Sequence, residues 1–594
     1  MRSKHIVWAL SLLPSTWALA LPQGGCRCIP GEACWPSDET WDAFNSTVDG
    51  KLIKSVPLAK PCYTSTEGSG DQCQNVNNAW STERFQTAQA LGRFYPFNTT
   101  CPPVANGQQP GTCSLGQLPV YVVRATKHSD VEKTLGFVQD HNIRLSITNT
   151  GHDLNGRGDG FGSLGLWVQN LRKGLFFHES FKSATQCTES GWNGKSIHID
   201  GAYQWGDVYG FAEKHNVIVV GGGSSSVGAT GGWLSGGGHG PASRNYGLGA
   251  DQLLEAEVML ANGTVVVANH CQHADLFRAL RGGGPGYGVV LGVKVKAYPN
   301  VDKVTAHHLT IAPSPSRFNT SALVDAVSIM MQSFPALNER GYAGYATWFR
   351  YLPGPYIANS TSAYTHSFWT IGMNQADASA VFEPLRRKLA DPGLNVVINS
   401  DFQEYNDYWS FFHNELDKAD IPGDTLLLTS RMLDKKALHD FDRVRHMVEV
   451  VSGRPQEYTM NLAMLVSGGK VFADAADTSS GLNPAWRTSP VVLLTGRKIP
   501  KTQTLSLQER QAIAEDMTSH KGQATKELAP DTAGYMSEGD GNDPDYINSF
   551  YGRNYAAHLA AKDKYDPKHV FYCRTCVGAE RFISRPEGAL CRAF

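Results

Sequence analysis

The chain lacks most of the signatures that would assign it at once. It has no strong excess of either charge: 53 Lys and Arg stand against 55 Asp and Glu, a formal net charge of −2. That leaves no basic surface to draw in nucleic acid or an anionic membrane. After residue 20 no apolar run is long enough to span a bilayer. No G-x-G-x-x-G follows a strand with an acidic residue placed behind it. There is no P-loop, no H-E-x-x-H and no G-x-S-x-G. These absences argue against a standard NAD enzyme, an NTPase, a zinc protease and an α/β-hydrolase. No metal site is indicated, and internal repeats and disordered linkers are also missing.

What is present begins with the first twenty residues. Arg2 and Lys4 precede an apolar run from Ile6 to Leu13, and Ala18 and Ala20 make a small-x-small cleavage site. This reads as a secretory signal peptide over residues 1–20. A membrane anchor is the alternative, but the run is too short and is followed by Pro14. Twelve cysteines suit an oxidising compartment, and seven of them lie between Cys26 and Cys113. Their pairing is not readable from sequence. Cys573 and Cys576 form a C-x-x-C pair that, without a second pair or histidine ligands, points to a structural disulfide. Sequons at Asn45, Asn98, Asn262, Asn319 and Asn359 mark surface sites for glycosylation.

Length and texture divide the rest. Residues 21–116 read as a Cys-rich extension with few regular elements. Residues 117–299 read as a first α+β lobe. Its expected strands are Pro119 to Val123, Arg144 to Thr148 and Val217 to Val220. A helix follows a Ser129-x-x-Glu132 capping box, and another spans Trp205 to His215. A hairpin over Leu253 to Ala268 turns at Asn262-Gly263. Residues 300–535 read as a second α+β lobe with helices at Ser321 to Phe334, Asp377 to Leu389, Lys435 to Val451 and Ser506 to Ser519. Pro384 is expected to kink or split the second of these. Residues 536–594 form a C-terminal segment.

The chain has sixty glycines, unevenly spread, and three clusters stand out in the first lobe: Gly151 to Gly165, Gly221 to Gly240 and Gly282 to Gly288. Glycine permits positive φ and close approach of backbone to a ligand, and inward N–H groups cradle a pyrophosphate. One cluster alone would be a turn. Three in one lobe point to a bound phosphate-bearing ligand.

Three stretches carry a resemblance: VYVVRATKHSDVEKTLGFVQDHNIRLSITNTGHD, GGGSSSVGATGGWLSGGGHG and LFRALRGGGPGYGVVLGVKVKAYP. They resemble the FAD-binding lobe of the vanillyl-alcohol oxidase and berberine-bridge-enzyme superfamily. The tail FYGRNYAAHLAAKDKYDPKHVFY is similar to that family's C-terminal segment, which returns to the flavin lobe. The start CRCIPGEACWPS and the stretch NPAWRTSP are similar to a fungal branch with isoamyl-alcohol-oxidase-like proteins. The resemblance implies an α+β fold of a PCMH-type FAD-binding domain and an α+β substrate-binding domain, with the Cys-rich extension in front.

It also implies roles. Gly151-His152 matches the family's Gly-His pair, so His152 is expected to bond the flavin 8α-methyl, with Asp153 beside it. Many relatives have a second link from a cysteine; here that position is Ser224, which predicts a single covalent bond. Val227 stands where the family gates dioxygen, and a valine leaves room, which implies an oxidase. Gly228, Gly231, Gly236, Gly237, Gly238 and Gly240 are expected to wrap the diphosphate and ribityl chain. Gly288, Val289 and Val290 are expected on the adenine side. His239 reads as a packing member of the cofactor loop rather than a catalyst. Asn554 and Tyr555 are expected to approach the ring system. Tyr551 is the candidate base, provided its pKa is lowered locally. Arg487 is a candidate electrostatic partner, with an ion pair as the alternative. His366 and His413 have no motif to rank them.

The implied activity is oxidation of an alcohol, simple or on a secondary metabolite. Hydride passes to FAD, and dioxygen is reduced to hydrogen peroxide. Oxidative cyclisation and carbohydrate oxidation are rivals within the family. A glycosylated extracellular binding protein is the rival of another class. Neither substrate identity nor oligomeric state is written in the sequence.

Overall fold

The computed structural model describes residues 25–593, apart from 65–68, 98, 99, 106, 353, 355–359, 458, 502 and 504. The expected leader and the sequons at Asn98 and Asn359 lie outside the described residues.

The first lobe is built on two sheets. In the first, Tyr121–Arg124, Leu164–Trp167 and Leu145–Thr148 run parallel, and Leu52–Lys54 adds an antiparallel edge. That edge strand comes from the Cys-rich segment, so the segment is part of the core. It also holds helices Asp38–Thr47, Ser69–Ala79 and Glu83–Thr87, more regular structure than its composition suggests. Ser37 caps the first of these. The helix then places Trp41 on Tyr121 (4.2 Å between rings) and Phe44 on Phe137 (4.0 Å). Such aromatic pairs add about 0.5–1.5 kcal/mol beyond area burial.

The crossover helix is His128–Asp140, with Val131, Leu135 and Val138 buried against the sheet. Each such side chain contributes about 1.5–3 kcal/mol. Its cap corrects the expected Ser129/Glu132 box. Asp130 does the work instead, accepting the Thr126 and Lys127 N–H groups while Lys51 Nζ pairs with it at 2.9 Å. A half-buried cation brought in by the extension pairs with the carboxylate that turns back.

The second sheet is antiparallel, in the order Arg172–His178, Ser196–Gly201, Val289–Lys296, Leu253–Met259 and Val265–Ala268. The last two strands form the expected hairpin, with Gly263 at φ +81° in the turn. The helix Trp205–Lys214 ends before Asn216, and only Val217–Ile218 of the following apolar run pairs as strand.

The second lobe is a seven-stranded antiparallel sheet. Its order is Val396–Tyr405, Val304–Pro313, Ala363–Ile371, Tyr342–Phe349, Thr459–Leu465, Val491–Ile499 and Thr425–Leu433. Helices Thr320–Glu339, Gln375–Leu389 and Phe441–Val451 cover one face. Pro384 does not split its helix, which is continuous. Phe441–Val451 starts later than its periodicity suggests because Asp440 caps it, accepting from the Arg443 N–H. The last helical stretch passes from Leu507–Glu515 through a π turn at Asp516–Gly522 into Gln523–Leu528. The opposite sheet face packs on the first lobe, where Met432, Met464 and Val492 meet Leu248 and Ala250.

All twelve cysteines are paired, including Cys573–Cys576 as expected. Cys26–Cys591 joins the two ends of the chain across 565 residues. On the chain-entropy account a closure of that length contributes about 6 kcal/mol. Among the described residues no helix is long and apolar enough to cross a membrane.

Candidate functional site

The site begins where strand Leu145–Thr148 ends. Gly151 has φ +79°, and a side-chain carbon there would lie 2.7 Å from the Gly92 carbonyl oxygen. Only glycine fits. The Gly151 carbonyl accepts the Phe94 N–H at 2.9 Å, so residues 92–94 of the extension clamp the loop. His152 then stacks on Phe94, with ring centroids 3.7 Å apart. Its Nε2 lies 2.9 Å from Ser226 Oγ. Its Nδ1 has no hydrogen-bond partner among the described residues. Packing lowers the imidazole pKa to about 3, so the ring is neutral and nucleophilic. Asp153 turns inward on its own loop, accepting the Asn155 and Arg157 N–H groups. The N–H groups of Gly151, His152 and Leu154 have no acceptor among the described residues.

The second glycine cluster faces this loop. Ser226 Oγ is 3.1 Å from Ser224 Oγ. The Glu83 carboxyl lies near Ser226 and the Asp420 carboxyl near Ser224. Glu83 Oε1 in turn accepts the Asp420 N–H at 2.9 Å. Burial raises both carboxyl groups above their usual range. Val227 is half-buried against the first lobe's core and lies beside Gly222.

The glycines divide into two kinds. A carbon added at Gly231 or Gly232 would meet nothing within 4 Å, which leaves an open wall for a ligand. The other expected wrappers are small because protein approaches them. Gly228 abuts Asn149, Gly236 abuts Ser537, Gly237 abuts Leu482, Gly238 abuts Trp233 and Gly240 abuts the Gly221 carbonyl. Gly288 likewise makes room for Val258, while Val289 and Val290 pair with Met259 and Val258 in the second sheet.

A second polar group pairs His239, expected as a packing member of the cofactor loop, with Glu538, which sequence reading missed. His239 Nε2 is 3.3 Å from Glu538 Oε1, and the carboxylate is 25% exposed. His239 is ringed edge-on by Tyr345 and Tyr535. The Nδ1 of His239 and the hydroxyl of Tyr345 are both buried without a partner. Burial first, and then the Glu538 charge, raise the Tyr345 and Tyr535 phenols far above normal, so both stay protonated. Tyr95 joins the two groups. It lies edge-on to His152, and its phenol is raised by burial and by Asp420, Glu538 and Glu83. Leu154, Leu426, Leu462 and Tyr345 supply half-buried apolar surface on the cluster that contains Tyr535. Nothing in local spacing links residues 83, 95, 345, 420 and 538 to residue 152; the fold alone brings them there.

Three expectations for the C-terminal half are corrected, and Arg487 takes its stated alternative, an ion pair. Tyr551 is buried, its hydroxyl donates to the Thr575 carbonyl at 2.8 Å, and burial raises its pKa. It cannot serve as a base. Asn554 is spent on Arg278 and on the Gly481 and Leu482 carbonyls. The Tyr555 hydroxyl accepts the Gly578 N–H. Arg487 grips Asp251 through both terminal nitrogens at 2.8 and 2.9 Å and also bonds the Val471 carbonyl. These residues dock the segment onto the first lobe. His366 is buried in a polar chain with Tyr364 and His307, and His413 pairs with Glu213 on the surface.

The residues present fit a flavin dinucleotide. Free N–H groups offer an anion cradle, the Gly231–Gly232 wall is open, and both side-chain atoms of Asn149 and the Nε of Arg157 are buried without a partner. The FAD binding domain family matches residues 119–269. The FAD-linked oxidoreductase hmp9 of Hypomyces subiculosus is 53% identical over 588 residues, which cover 97% of this chain and 93% of that protein. The crystal structure of the VAO-type flavoprotein MtVAO713 from Myceliophthora thermophila C1 is 54% identical, with a TM-score of 0.94. The match covers 96% of this chain and all of that one, 100%. Glucooligosaccharide oxidase from Acremonium strictum, which carries a 6-S-cysteinyl, 8α-N1-histidyl FAD, shares the fold. It is 18% identical, with a TM-score of 0.61 over 77% of this chain and 92% of its own. The chain belongs to the vanillyl-alcohol oxidase and berberine-bridge-enzyme superfamily, and it is an FAD-dependent oxidoreductase.

Proposed function

We propose that this enzyme oxidises an apolar alcohol, free or on a secondary metabolite, with FAD held by one covalent bond to His152 and dioxygen reduced to hydrogen peroxide. FAD supplies the two-electron acceptor that takes hydride from the carbinol carbon. The protein's part is to hold the alcohol, exclude water and take the hydroxyl proton. Glu538 with His239 is the group suited to that proton. Tyr345, held protonated, donates to the substrate oxygen. The observation that carries this reading is the link from a neutral His152 through Tyr95 to the Glu538–His239 pair, with the half-buried apolar surface of Leu154, Leu426 and Leu462 on the cluster that holds Tyr535, itself edge-on to His239. A surface of that kind favours an apolar alcohol over a carbohydrate, which demands hydrogen-bonding partners.

A single link is supported by Ser224 and by the absence of any free thiol, since all twelve cysteines are in disulfides. The bicovalent Acremonium enzyme has a cysteinyl bond that nothing here can make. Val227 supports dioxygen access. Six disulfides support passage through an oxidising compartment, in keeping with the leader expected at residues 1–20. Asn262 and Asn319 are exposed and Asn45 is half-buried, so the first two suit glycans best.

The test is anaerobic mixing of the flavoprotein with a panel running from ethanol to benzyl and cinnamyl alcohols, with cellobiose alongside. Bleaching of the flavin by the apolar alcohols, and recovery in air with peroxide release, is the expected result. Bleaching by cellobiose alone would replace the alcohol reading with a carbohydrate one. Bleaching by none would contradict the proposed function.

A further inference from the structure

His413 lies on the surface near the end of helix Tyr408–Glu415, yet both of its ring nitrogens face carboxylates. Nε2 is 3.1 Å from Glu213 Oε2 on helix Trp205–Lys214, and Nδ1 is 3.3 Å from Asp417 Oδ2. A carboxylate only accepts, and a neutral imidazole has a single N–H to donate. Two carboxylates on one ring therefore fit the imidazolium, the form that donates from both nitrogens.

Asp417 opens an irregular stretch, residues 417–423, that leads from this helix to strand Thr425–Leu433. Its Oδ1 accepts from Ser225 Oγ at 3.0 Å. Ser225 sits between Ser224 and Ser226, and Ser226 Oγ is the partner of His152 Nε2. Farther along, the Asp420 N–H donates to Glu83 at 2.9 Å. The Gly423 N–H donates to the Phe94 carbonyl at 2.8 Å, and Phe94 is the ring stacked on His152. Trp80 Nε1 donates to the Gly423 carbonyl at 3.0 Å. The ring that stacks on His152 and the loop that bonds it are thus both tied to this stretch. Between the ties Lys418, Ala419 and Ile421 are exposed, and nothing there is helix or strand.

We propose that residues 417–423 form a strap over the His152 edge of the site, latched by protonated His413 and released when that histidine loses its proton. This is a regulation of the site proposed above and rests on that reading.

The charged groups around His413 are Glu213, Asp417 and, at the start of its own helix, Asp407. Lys418 follows on the strap, while Glu415 is taken by His308 and Tyr405. Burial by itself would lower the His413 pKa, but the bonds to Glu213 and Asp417 outweigh it and raise the value. The latch is therefore fully made below the ordinary histidine pKa of about 6.5 and is lost as the pH rises through the raised one. A neutral ring donates to one carboxylate and turns a lone pair on the other. Both ion pairs are about half exposed, so solvent screens them and the expected effect is a few-fold one.

The test is hydrogen–deuterium exchange of the full-length, flavin-loaded protein at about pH 5.5 and about pH 8.5, on either side of the histidine range. Wild type is compared with His413→Gln and Asp417→Asn. The amides of Asp420 and Gly423 report the strap, and strand Thr425–Leu433 is the control for global opening. After correction for chemical exchange, protection of the wild-type strap is expected to fall about threefold or more at the higher pH, while the strand keeps its own. Both variants are expected to show the lower protection at both pH values. Equal protection of the wild-type strap at the two pH values would overturn the proposal, as would a His413→Gln strap as well protected as wild type at the lower pH. Should a variant fail to fold, the wild-type comparison decides. No substrate enters this experiment. A latch found in a protein that no alcohol bleaches would keep the strap and remove only the alcohol reading, and bleaching without a latch would do the reverse.

Discussion

Two regions of this molecule are rich in the polar residues that suggest an active site, and they differ in whether the protein itself satisfies them. In the C-terminal half, Tyr551, Asn554, Tyr555 and Arg487 all have partners from backbone or an opposite charge. Around the glycine-rich front of the first lobe, Asn149, Arg157, His239 and Tyr345 each keep at least one buried polar atom unmatched. The Nδ1 of His152 has no hydrogen-bond partner among the described residues there either. A buried polar atom left unpaired costs about 1–3 kcal/mol, so a fold tolerates several together only where something else completes them. The satisfied set is scaffold and the unsatisfied set is site. Identical residue types in the two places therefore have opposite meanings.

The largest expected effect tests the scaffold side. Arg487→Met takes the close charge partner from a buried Asp251 and leaves it only Arg281, 4.0 Å away, since both side chains of the broken pair are less than a tenth exposed. A loss of about 3–5 kcal/mol in unfolding free energy is expected, read by chemical denaturation. A loss below about 1 kcal/mol would return Arg487 to the list of functional candidates.

A matched pair of tyrosines sharpens the comparison at the next level. Tyr551→Phe strands the Thr575 carbonyl and is expected to cost about 1–2 kcal/mol of stability while leaving flavin reduction by alcohol unchanged. Tyr345→Phe removes a hydroxyl that bonds nothing. It is expected to shift stability by no more than about 0.5 kcal/mol and to slow flavin reduction at least tenfold. The reverse pattern would break the division between scaffold and site.

The smallest effect is one of pH. Burial raises the Glu83 carboxyl, so its charged form weighs against the fold. Above the folded pKa that cost is fully present, and it fades as the pH falls through the folded pKa toward the ordinary carboxylate range. Glu83→Gln is therefore expected to raise the melting temperature slightly at neutral pH, with the gain disappearing under acid conditions. A gain that persists or grows in acid would contradict the raised carboxyl.

Much of the fold was legible because it rests on local rules. The Asn262-Gly263 hairpin, the Val131/Leu135/Val138 helix and the Cys573–Cys576 bond each follow from a few neighbouring residues. The first-lobe glycine clusters located the site, and Gly151 is there for the reason glycine usually is. The other members of the site were not legible. Tyr95 and Glu83 sit in a segment whose composition suggested a disulfide-stapled extension, and Glu538 lies 386 positions after His152. Their meeting depends on tertiary packing that no spacing rule encodes. The same limit explains the misplaced base. Tyr551 sits in a motif that returns to the flavin lobe, but whether a tyrosine faces ligand or a carbonyl depends on its side-chain direction, and here Thr575 takes it.

The most direct measurement is the visible spectrum of acid-precipitated protein, wild type beside His152→Ala. The account predicts yellow protein in the wild-type pellet, and in the variant either a colourless pellet with flavin released to the supernatant or no flavin at all. A yellow pellet from His152→Ala, or a colourless one from the wild type with its flavin in solution, would contradict His152 as the covalent anchor.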